Sequence, residues 1–581
     1  MKKLLFIFGV FSVMGHAQVM FQDQASTLGI DQHYGNGFLG GGISFYDYNQ
    51  DGWDDITISS ETGSDIYFFK NVGGTFEREF LTIDGGSLQT KQLVWVDFDN
   101  DGDLDFFAAS DEGLNKLFSN NGDNTFTDIT AGSGLPPVPY DTFGGAWGDY
   151  DNDGFLDVFL TIRDISESQP NLLFHNNGDR TFSNVTASAG LETTGYISFC
   201  AAFFDYNNDG FQDIYMANDK YVTENILYKN NGDGTFENVS AASGTNLIMG
   251  AMSTTIDDYN NDGWLDIYVS NDEQQLGGNT TEGNAFLRNN QDGTFTNIAV
   301  QNGTSFNSVG WGCVFLDAEN DTDHDLYVSG TGDGTGGYLP SAFYENDGTG
   351  NFTIPANAGF QNDTRQSFSN AIGDIDNDGY PDIAVLNNGN NDIFLWRNMS
   401  PQNNNWLKVG LRGTESNSMG IGSWIEISTN GHIQYHYTVC GEGYLGQNSG
   451  WEFFGIADAT IVDYVKVTWL SGIVDLLEDV AINEHLVIVE GEHPILGVED
   501  SGAPAFSIYP NPASNTVTID FSETFASSAI VAVYDISGKK IIETNVDTRK
   551  NIINVQSLDS GMYFFEITSE ENRTVKRLIV D

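Results

Sequence analysis

The chain has 581 residues, of which 82 are Asp or Glu and 23 are Lys or Arg, so its formal net charge is −59. This charge excludes a protein that binds nucleic acid or an anionic membrane surface, because both need clusters of Lys and Arg to meet phosphate. The 40% share of hydrophobic residues excludes a disordered acidic chain, since it supplies enough apolar mass for packed cores. Three cysteines allow at most one internal disulfide, so disulfide bonds do not frame the fold.

The N-terminus has the pattern of a secretory signal peptide. A basic start is followed by an apolar run of eleven residues from Leu4 to Met14, and small residues then lead to Ala17. Eleven apolar residues are too few to span a bilayer. We predict that residues 1–17 are removed on export. No later segment reaches the roughly 18 apolar residues of a membrane helix, so we expect an exported chain with no transmembrane segment.

A nine-residue pattern, Asp-x-Asp/Asn-x-Asp-Gly-x-x-Asp, dominates residues 18–400. The steps between successive copies are 50, 52, 56, 53, 59 and 57 residues. Each copy lies between apolar runs, and a later pair of apolar runs is joined by an Asn-Gly or Asp-Gly turn, which predicts a hairpin. Each unit of about 55 residues therefore holds four short strands, the content of one propeller blade. We predict an all-β fold with a seven-bladed β-propeller. The copies start at Asp47, Asp97, Asp149, Asp205, Asp258, Asp317 and Asp374.

The seventh unit lacks its fourth strand, and the N-terminus supplies a matching one. Residues 20–23 with Gly29 have the spacing of residues 125–128 with Gly134. We predict that this N-terminal strand completes the last blade and closes the ring, which hides two sheet edges.

The repeated pattern places oxygen-bearing side chains at positions 1, 3, 5 and 9 of each loop. Calcium takes six to eight hard oxygen ligands in a flexible shell, whereas magnesium demands near-octahedral geometry and keeps its waters. Asp and Asn are also common in turns, but three or four crowded carboxylates repel one another without a cation. We predict up to seven structural calcium ions. The predicted ligands are Asp47, Asn49, Asp51 and Asp55; Asp97, Asp99, Asp101 and Asp105; Asp149, Asp151, Asp153 and Asp157; Asp205, Asn207, Asp209 and Asp213; Asp258, Asn260, Asp262 and Asp266; Asp317, Glu319, Asp321 and Asp325; and Asp374, Asp376, Asp378 and Asp382.

The seven loops differ in predicted strength. Those that start at Asp97, Asp149 and Asp374 have four Asp and the Gly, so we expect them to bind best. Three other loops have Asn at position 3, which removes one charge but keeps an oxygen. The sixth loop has Glu319 at position 3 and Thr322 where the others have Gly. A β-branched residue resists positive φ, so this loop is the weakest candidate.

With these loops, residues 19 to 400 resemble the FG-GAP/VCBS repeat family, a propeller with calcium loops that is also found in integrin α subunits. The resemblance implies that the metal loops are structural and that ligands bind elsewhere, usually on the opposite face.

The region of residues 405–492 resembles the ASPIC/UnbV domain, although Leu470 stands where that family typically has Pro. Alternating apolar residues in residues 465–469 predict a small β domain. A propeller joined to such a domain resembles the cartilage-acidic-protein group. The matching motifs are residues 405–407, 420–422, 441–448 and 469–472.

The C-terminal part begins with a linker at residues 493–505, which contains Gly, Pro and acidic residues. Residues 506–581 resemble the C-terminal sorting domain of type IX secretion, through Tyr-Pro-Asn-Pro at 509–512 and Leu-Asp-Ser-Gly-Met-Tyr at 558–563. The resemblance implies a β-sandwich-like domain that contacts the secretion machinery. It also implies export across a Gram-negative outer membrane, followed by surface attachment or release.

The sequence contains no recognised catalytic motif, so we expect a binding or adhesion scaffold for a glycan or protein partner rather than an enzyme. Two alternatives stay open: an extracellular enzyme on polysaccharide with its site in the propeller funnel, and a structural surface-layer component. His432 and His436 are four residues apart and would share one face of a strand. A metal site at this pair is possible, but a surface pair or a hydrogen-bonded pair is the commoner arrangement.

Overall fold

The computed structural model describes residues 19–81, 83, 88–166, 168–219, 223–272, 283–332, 334–335, 338–360, 363–494, 506–509, 513, 515–521, 529–535, 539–546, 550–558, 561–568 and 573–580. The predicted signal peptide and residues 495–505 of the predicted linker lie outside this range. Strands form 46% of the chain and helices 3%, so the predicted all-β class is confirmed. The chain divides into two compact units, Met1–Pro494 and Ile495–Asp581.

The repeats form antiparallel sheets in the first unit, and seven such sheets lie within the described residues. In each sheet the strands pair in the order first, second, third, fourth, and the nine-residue loop joins the first strand to the second. The strands are, for sheet 1, Ile43–Tyr46, Asp55–Ile58, Tyr67–Asn71 and Phe76–Glu79; for sheet 2, Thr90–Val96, Asp105–Ser110, Lys116–Asn120 and Phe126–Asp128; for sheet 3, Thr142–Gly148, Asp157–Ile162, Leu172–Asn176 and Phe182–Asn184; for sheet 4, Ser198–Phe204, Asp213–Asn218, Ile226–Asn230 and Phe236–Asn238; for sheet 5, Ala251–Asp257, Asp266–Asn271, Ala285–Asn289 and Phe295–Asn297; for sheet 6, Gly310–Leu316, Asp325–Gly330, Ser341–Asn346 and Phe352–Thr353; and for sheet 7, Ser367–Gly373, Asp382–Asn387, Phe394–Asn398 and the N-terminal Phe21–Asp23.

The N-terminal strand confirms the predicted exchange. Phe21–Asp23 pairs antiparallel with Phe394–Asn398, so the fourth strand of sheet 7 comes from the opposite end of the repeat region. The glycine that follows this strand has a packing reason. Gly29 has φ 102°, and a Cβ there would lie 2.5 Å from the carbonyl oxygen of Phe76 in sheet 1. Only glycine permits this close approach of backbone between neighbouring sheets.

Short helices follow several fourth strands, and none that the structure describes has the length and hydrophobicity of a membrane span. They are Ala25–Leu28, Ser240–Ser243, Ala299–Asn302 and the 3₁₀ turn Thr130–Gly132.

The first strands of successive sheets are neighbours, and that of sheet 7 also contacts that of sheet 1. Ile43 and Ile56 of sheet 1 share one buried cluster with Ala371 and Ala384 of sheet 7. Such repeated sheets, each packed on the next, form a β-propeller-like body.

The second β region, residues 405–494, belongs to the same compact unit as the repeat sheets. It has two sheets around one apolar core that includes Leu407, Ile425 and Val465. The three strands of one sheet are Glu452–Gly455, Trp406–Arg412 and His485–Val489, and the four of the other are His432–Tyr437, Trp424–Thr429, Val462–Thr468 and Val474–Val480. A further short strand, Gly446–Gln447, leaves this region and pairs in parallel with Ile43–Tyr46 of sheet 1.

Residues 438–451, the central segment, touch the first strands of the repeat sheets on many sides. Tyr444 is fully buried, its hydroxyl donates to the carbonyl of Leu39 at 2.7 Å, and its ring lies 4.8 Å from that of Trp311 in sheet 6. Gln447 exchanges two hydrogen bonds of 2.8 Å with the backbone of Trp95 in sheet 2. The chain itself therefore fills the centre between the sheets, where the enzyme alternative would place its site.

The second unit also has two sheets. The buried side chains of both, among them Val517, Val531 and Phe565, form one cluster. Its strands are Phe506–Tyr509, Thr516–Phe521 and Lys550–Asn554 in one sheet, and Lys540–Val546, Ala529–Asp535, Gly561–Thr568 and Arg573–Val580 in the other.

Candidate metal centres

The seven predicted metal loops share one backbone shape. In each loop the carboxylate at position 1 accepts the backbone N–H of position 5 at 3.0 to 3.2 Å and that of position 6 at 2.7 to 2.9 Å. Position 6 has positive φ, 87° at Gly52 and 88° at Thr322. The sixth loop thus keeps the shape without glycine, at a backbone cost of about 1–3 kcal/mol.

Position 9 is buried in every loop and held by an asparagine that sequence analysis missed. Asp55, for example, is fully buried and accepts the backbone N–H of Asn71 at 2.7 Å. The side-chain amide of Asn71 then donates to the carbonyl of Ile375 in sheet 7 at 2.8 Å, and so joins two sheets. The signal in the sequence is an Asn at the end of each third strand: Asn71, Asn120, Asn176, Asn230, Asn289, Asn346 and Asn398.

Position 4, also unremarked in the sequence, links each loop to the next. Its side-chain amide donates to the carbonyl of position 6 of the following loop at 2.7 to 3.3 Å, and the seventh loop donates to the first. These residues have φ of 54° to 58°, which Asn tolerates better than most residues. The donors are Gln50, Asn100, Asn152, Asn208, Asn261, Asn320 and Asn377.

Three loops bring carboxylates close enough to hold a metal ion within the described residues. Each cluster has three Asp whose ligand atoms lie within 4.8 Å of one another, and all three belong to the loops with four Asp. The clusters are Asp97, Asp99 and Asp101; Asp149, Asp151 and Asp157; and Asp374, Asp376 and Asp382.

Several carboxylate oxygens in these loops have the environment of metal ligands. Oδ1 of Asp99 and Oδ1 of Asp151 are buried, and neither accepts a hydrogen bond from any described residue. The same holds for Oε2 of Glu319 in the sixth loop. A buried carboxylate oxygen without a partner costs free energy, and a hard dication in the loop would remove that cost.

Burial also opposes ionisation in these loops. It raises the pKa of Asp47, Asp205 and Asp258 to about 7 and that of Asp105 to about 9. The pKa of Asp149 is also raised, by burial and then by the charge of Asp157. A bound dication favours the ionised carboxylates and would reverse this trend.

Basic side chains lie beside some of the loops. Lys70 is 2.9 Å from Asp51, and Arg180 is 2.6 Å from Asp99. The buried Nζ of Lys408, from the second β region, lies 3.1 Å from Oδ2 of Asp374. In the seventh loop, Lys408 therefore competes with a metal ion for Asp374, which the four Asp of the sequence pattern did not indicate.

The loops with Asn at position 3 are organised differently. Asn49 donates to Oδ2 of Asp55 at 2.6 Å, and Asn207 donates to Oδ2 of Asp209 at 2.9 Å. The amide thus replaces part of the positive charge that a metal would supply.

The third loop has an added imidazole, because Nδ1 of His175 lies 3.3 Å from Asp151. The roles of the predicted ligands in binding metal stay predictions.

Family comparisons confirm the three resemblances. The FG-GAP-like repeat matches residues 47–108, 97–160, 149–216, 205–269 and 331–385. The ASPIC and UnbV family matches residues 413–495, and the secretion system C-terminal sorting domain matches residues 507–581. The loop that starts at Asp317 lies outside the matched repeats, in agreement with its unusual sequence.

Cartilage acidic protein 1 is a relative. The Mus musculus protein is 30% identical over 177 residues, which cover 28% of this chain and 26% of that protein. The Homo sapiens protein is 29% identical over 168 residues, which cover 27% and 25%. The alignments thus span about a quarter of the length of these curated relatives.

Among solved structures, the extracellular domain of BT4673 from B. thetaiotaomicron is similar with 9% identity and a TM-score of 0.39. It covers 97% of this chain and 58% of that one.

The sorting domain indicates secretion or attachment at the outer-membrane surface, and it implies contact with the type IX secretion machinery. The chain is an extracellular or cell-surface protein with β-propeller-like repeats and a sorting tail.

Proposed function

We propose that this protein is a calcium-stabilised, seven-bladed β-propeller that serves as a non-catalytic binding scaffold for a glycan or protein partner. The observation that carries the proposal is the clustering of three Asp within 4.8 Å in the loops that have four Asp. Oxygen-only ligands in a tight turn are the chemistry of calcium, and each ion would neutralise charge that otherwise opposes folding. We further propose a β-sandwich for the sorting domain, since one buried cluster joins its two sheets.

Ring closure is supported by hydrogen bonds between the seventh repeat and the first. Position 4 of the seventh loop, Asn377, donates to the carbonyl of Gly52 in the first loop at 2.8 Å. Asn71 of sheet 1 donates to the carbonyl of Ile375 in sheet 7. A closed ring leaves no repeat sheet with an unprotected side, which suits an exported protein.

The end of the sheets opposite the metal loops is the proposed partner surface. Loops at this end expose apolar side chains, with Phe38, Val138 and Ile165 each more than half exposed. The central segment fills the space between the sheets, which supports binding by surface loops over an enzyme with its site in a funnel.

Calcium is tested by thermal unfolding of the full chain in excess EDTA and in millimolar calcium, with calorimetric titration for stoichiometry. We expect calcium to raise Tm, because a ligand at about 100 times its Kd stabilises the folded state by about 2.7 kcal/mol per site. Asp151→Asn should remove one binding event, whereas Asp123→Asn, in an exposed turn, should remove none. Equal melting curves in EDTA and calcium would refute structural calcium.

The scaffold role is tested separately on a glycan array with calcium-loaded protein. We expect binding that survives Asp151→Asn but falls on Phe38→Ala. Release of sugar products from bound glycans would favour the enzyme instead. Calcium-dependent assembly into large oligomers without glycan binding would favour the surface-layer component.

A further inference from the structure

A cavity of about 100 Å³ lies between the repeat sheets and the second β region. Two histidines line it. His324 occupies position 8 of the sixth loop, and its side chain is 4% exposed. His436 lies on the strand His432–Tyr437 of the second β region, and its side chain is 13% exposed. Two distant parts of the chain thus bring imidazoles to one buried space.

Each imidazole is oriented by a carboxylate on the same ring nitrogen. Nδ1 of His324 is hydrogen-bonded to Oδ1 of Asp257, at the end of the first strand of sheet 5. Nδ1 of His436 lies 3.0 Å from Oε2 of Glu452. A carboxylate on Nδ1 fixes the ring of a metal-binding histidine and directs Nε2 to the metal.

The surroundings of Nε2 of His436 also point to a ligand. This atom is buried and has no hydrogen-bond partner among the described residues. A buried polar atom without a partner costs about 1–3 kcal/mol.

The spacing of the two rings fits a shared ion. Their centroids are 5.0 Å apart, and their planes differ by 73°. Two imidazoles bound through Nε2 to one tetrahedral ion, with metal–nitrogen bonds of about 2.0–2.1 Å, have centroids about 5 Å apart. The cavity of about 100 Å³ exceeds the roughly 10–15 Å³ that one water needs, so waters can complete the coordination.

We propose that His324 and His436 bind one transition-metal dication of the zinc type through their Nε2 atoms, with Asp257 and Glu452 as positioning residues. Imidazole nitrogen suits zinc and its neighbours, whereas calcium takes oxygen ligands. The buried carboxyl group of Glu442 lines the same cavity. The two histidines are not among the predicted calcium ligands, and because His324 lies in the sixth loop, a shared ion would join that loop to the second β region.

The test is a titration of the calcium-saturated full chain with Co²⁺, followed by visible absorption, which reports tetrahedral nitrogen ligation. We expect one equivalent of Co²⁺, displaced by Zn²⁺. His324→Asn and His436→Asn should each abolish it, and Glu452→Gln should weaken it by about 10–100-fold. The matched control is His432→Asn, since His432 is exposed on the same strand and should leave binding unchanged.

The melting temperature of each variant shows whether it folds. Zinc-edge anomalous diffraction from the wild-type chain gives an answer that needs no variant, with one peak expected between the two Nε2 atoms. Absence of that peak, failure of the wild type to bind Co²⁺, or binding that survives both histidine replacements in folded protein would overturn the proposal. Calcium uptake by the loops is measured independently, so either proposal can fail alone.

Discussion

Replacement of Phe21 by alanine tests whether the N-terminal strand holds the last sheet. Phe21 is 2% exposed, and its ring packs 5.5 Å from that of Phe343 and 5.3 Å from that of Phe360. Its backbone N–H donates to the carbonyl of Ala358 at 2.7 Å. The side chain therefore fixes a three-residue strand whose few ladder hydrogen bonds would be weak alone.

The expected loss follows from this burial. Replacement of a buried Phe by Ala removes its transfer free energy and leaves a cavity, at about 3–5 kcal/mol. We expect a loss of about 4 kcal/mol in the free energy of unfolding of the unit that contains the repeats. Phe80 is the control, because it is 79% exposed and its replacement should change stability by less than about 0.5 kcal/mol.

The assay is urea unfolding, followed by tryptophan fluorescence and by circular dichroism at constant calcium. Trp396 lies opposite Asp23 in the strand pair and gives a local fluorescence probe. The reasoning is refuted if Phe21→Ala loses less than about 1 kcal/mol, no more than a surface change, because the strand would then not be packed in the last sheet.

Two more predictions concern the loops. Asn71→Ala should lower the free energy of unfolding in urea by about 3 kcal/mol, because it leaves the buried carbonyl of Ile375 and other backbone groups without partners. Replacement of the exposed Asn121 by alanine is the control, and equal losses would contradict the role of Asn71 in joining the sheets. In EDTA the free energy of unfolding should fall as pH rises from about 4 to 7. Burial raises the pKa of Asp47 and Asp205 to about 7, whereas an unfolded Asp ionises near pH 3.9. The folded state therefore binds more protons than the unfolded state in this window, and its stability decreases as those protons are lost. Urea midpoints at pH 5, 6 and 7 measure this, and a midpoint that rises with pH would contradict it.

The repeat sheets could be predicted because their signals are local. Turn residues, alternating apolar runs and the regular Asp pattern define strands without knowledge of distant contacts. The exchange of the N-terminal strand was also accessible, since residues 20–23 and Gly29 copy the spacing of other units. The structure adds the reason for that Gly, whose Cβ would strike the backbone of Phe76.

Long-range packing could not be predicted from the same signals. The motif at residues 441–448 was visible in the sequence, but its place between the sheets depends on contacts such as that of Gln447 with Trp95, 352 residues apart. For the same reason, the spacing of His432 and His436 did not indicate which side chains lie next to each other. His436 meets His324 instead, which only the tertiary fold brings near.

The asparagines at position 4 and at the third-strand ends were overlooked because single turn asparagines carry little information. Their role is visible only in the three-dimensional structure, in which neighbouring sheets lie side by side. Asn100, for example, donates to the carbonyl of Gly154 in the next loop. The acidic loops are thus connected by neutral amides, which add hydrogen bonds without adding charge.

The second β region packs against the metal loops and uses some of their carboxylates. The hydroxyl of Ser418 donates to Oδ2 of Asp97 at 2.6 Å, and Lys408 pairs with Asp374. The proposed metal binding in these loops would therefore use the same oxygens as the packing of the second β region. Because a filled loop fixes these oxygens in place, loss of calcium should loosen this interface first, while the exposed loops at the opposite end keep their shape. On the proposed function, one end of the sheets would serve stability and the other would bind the partner.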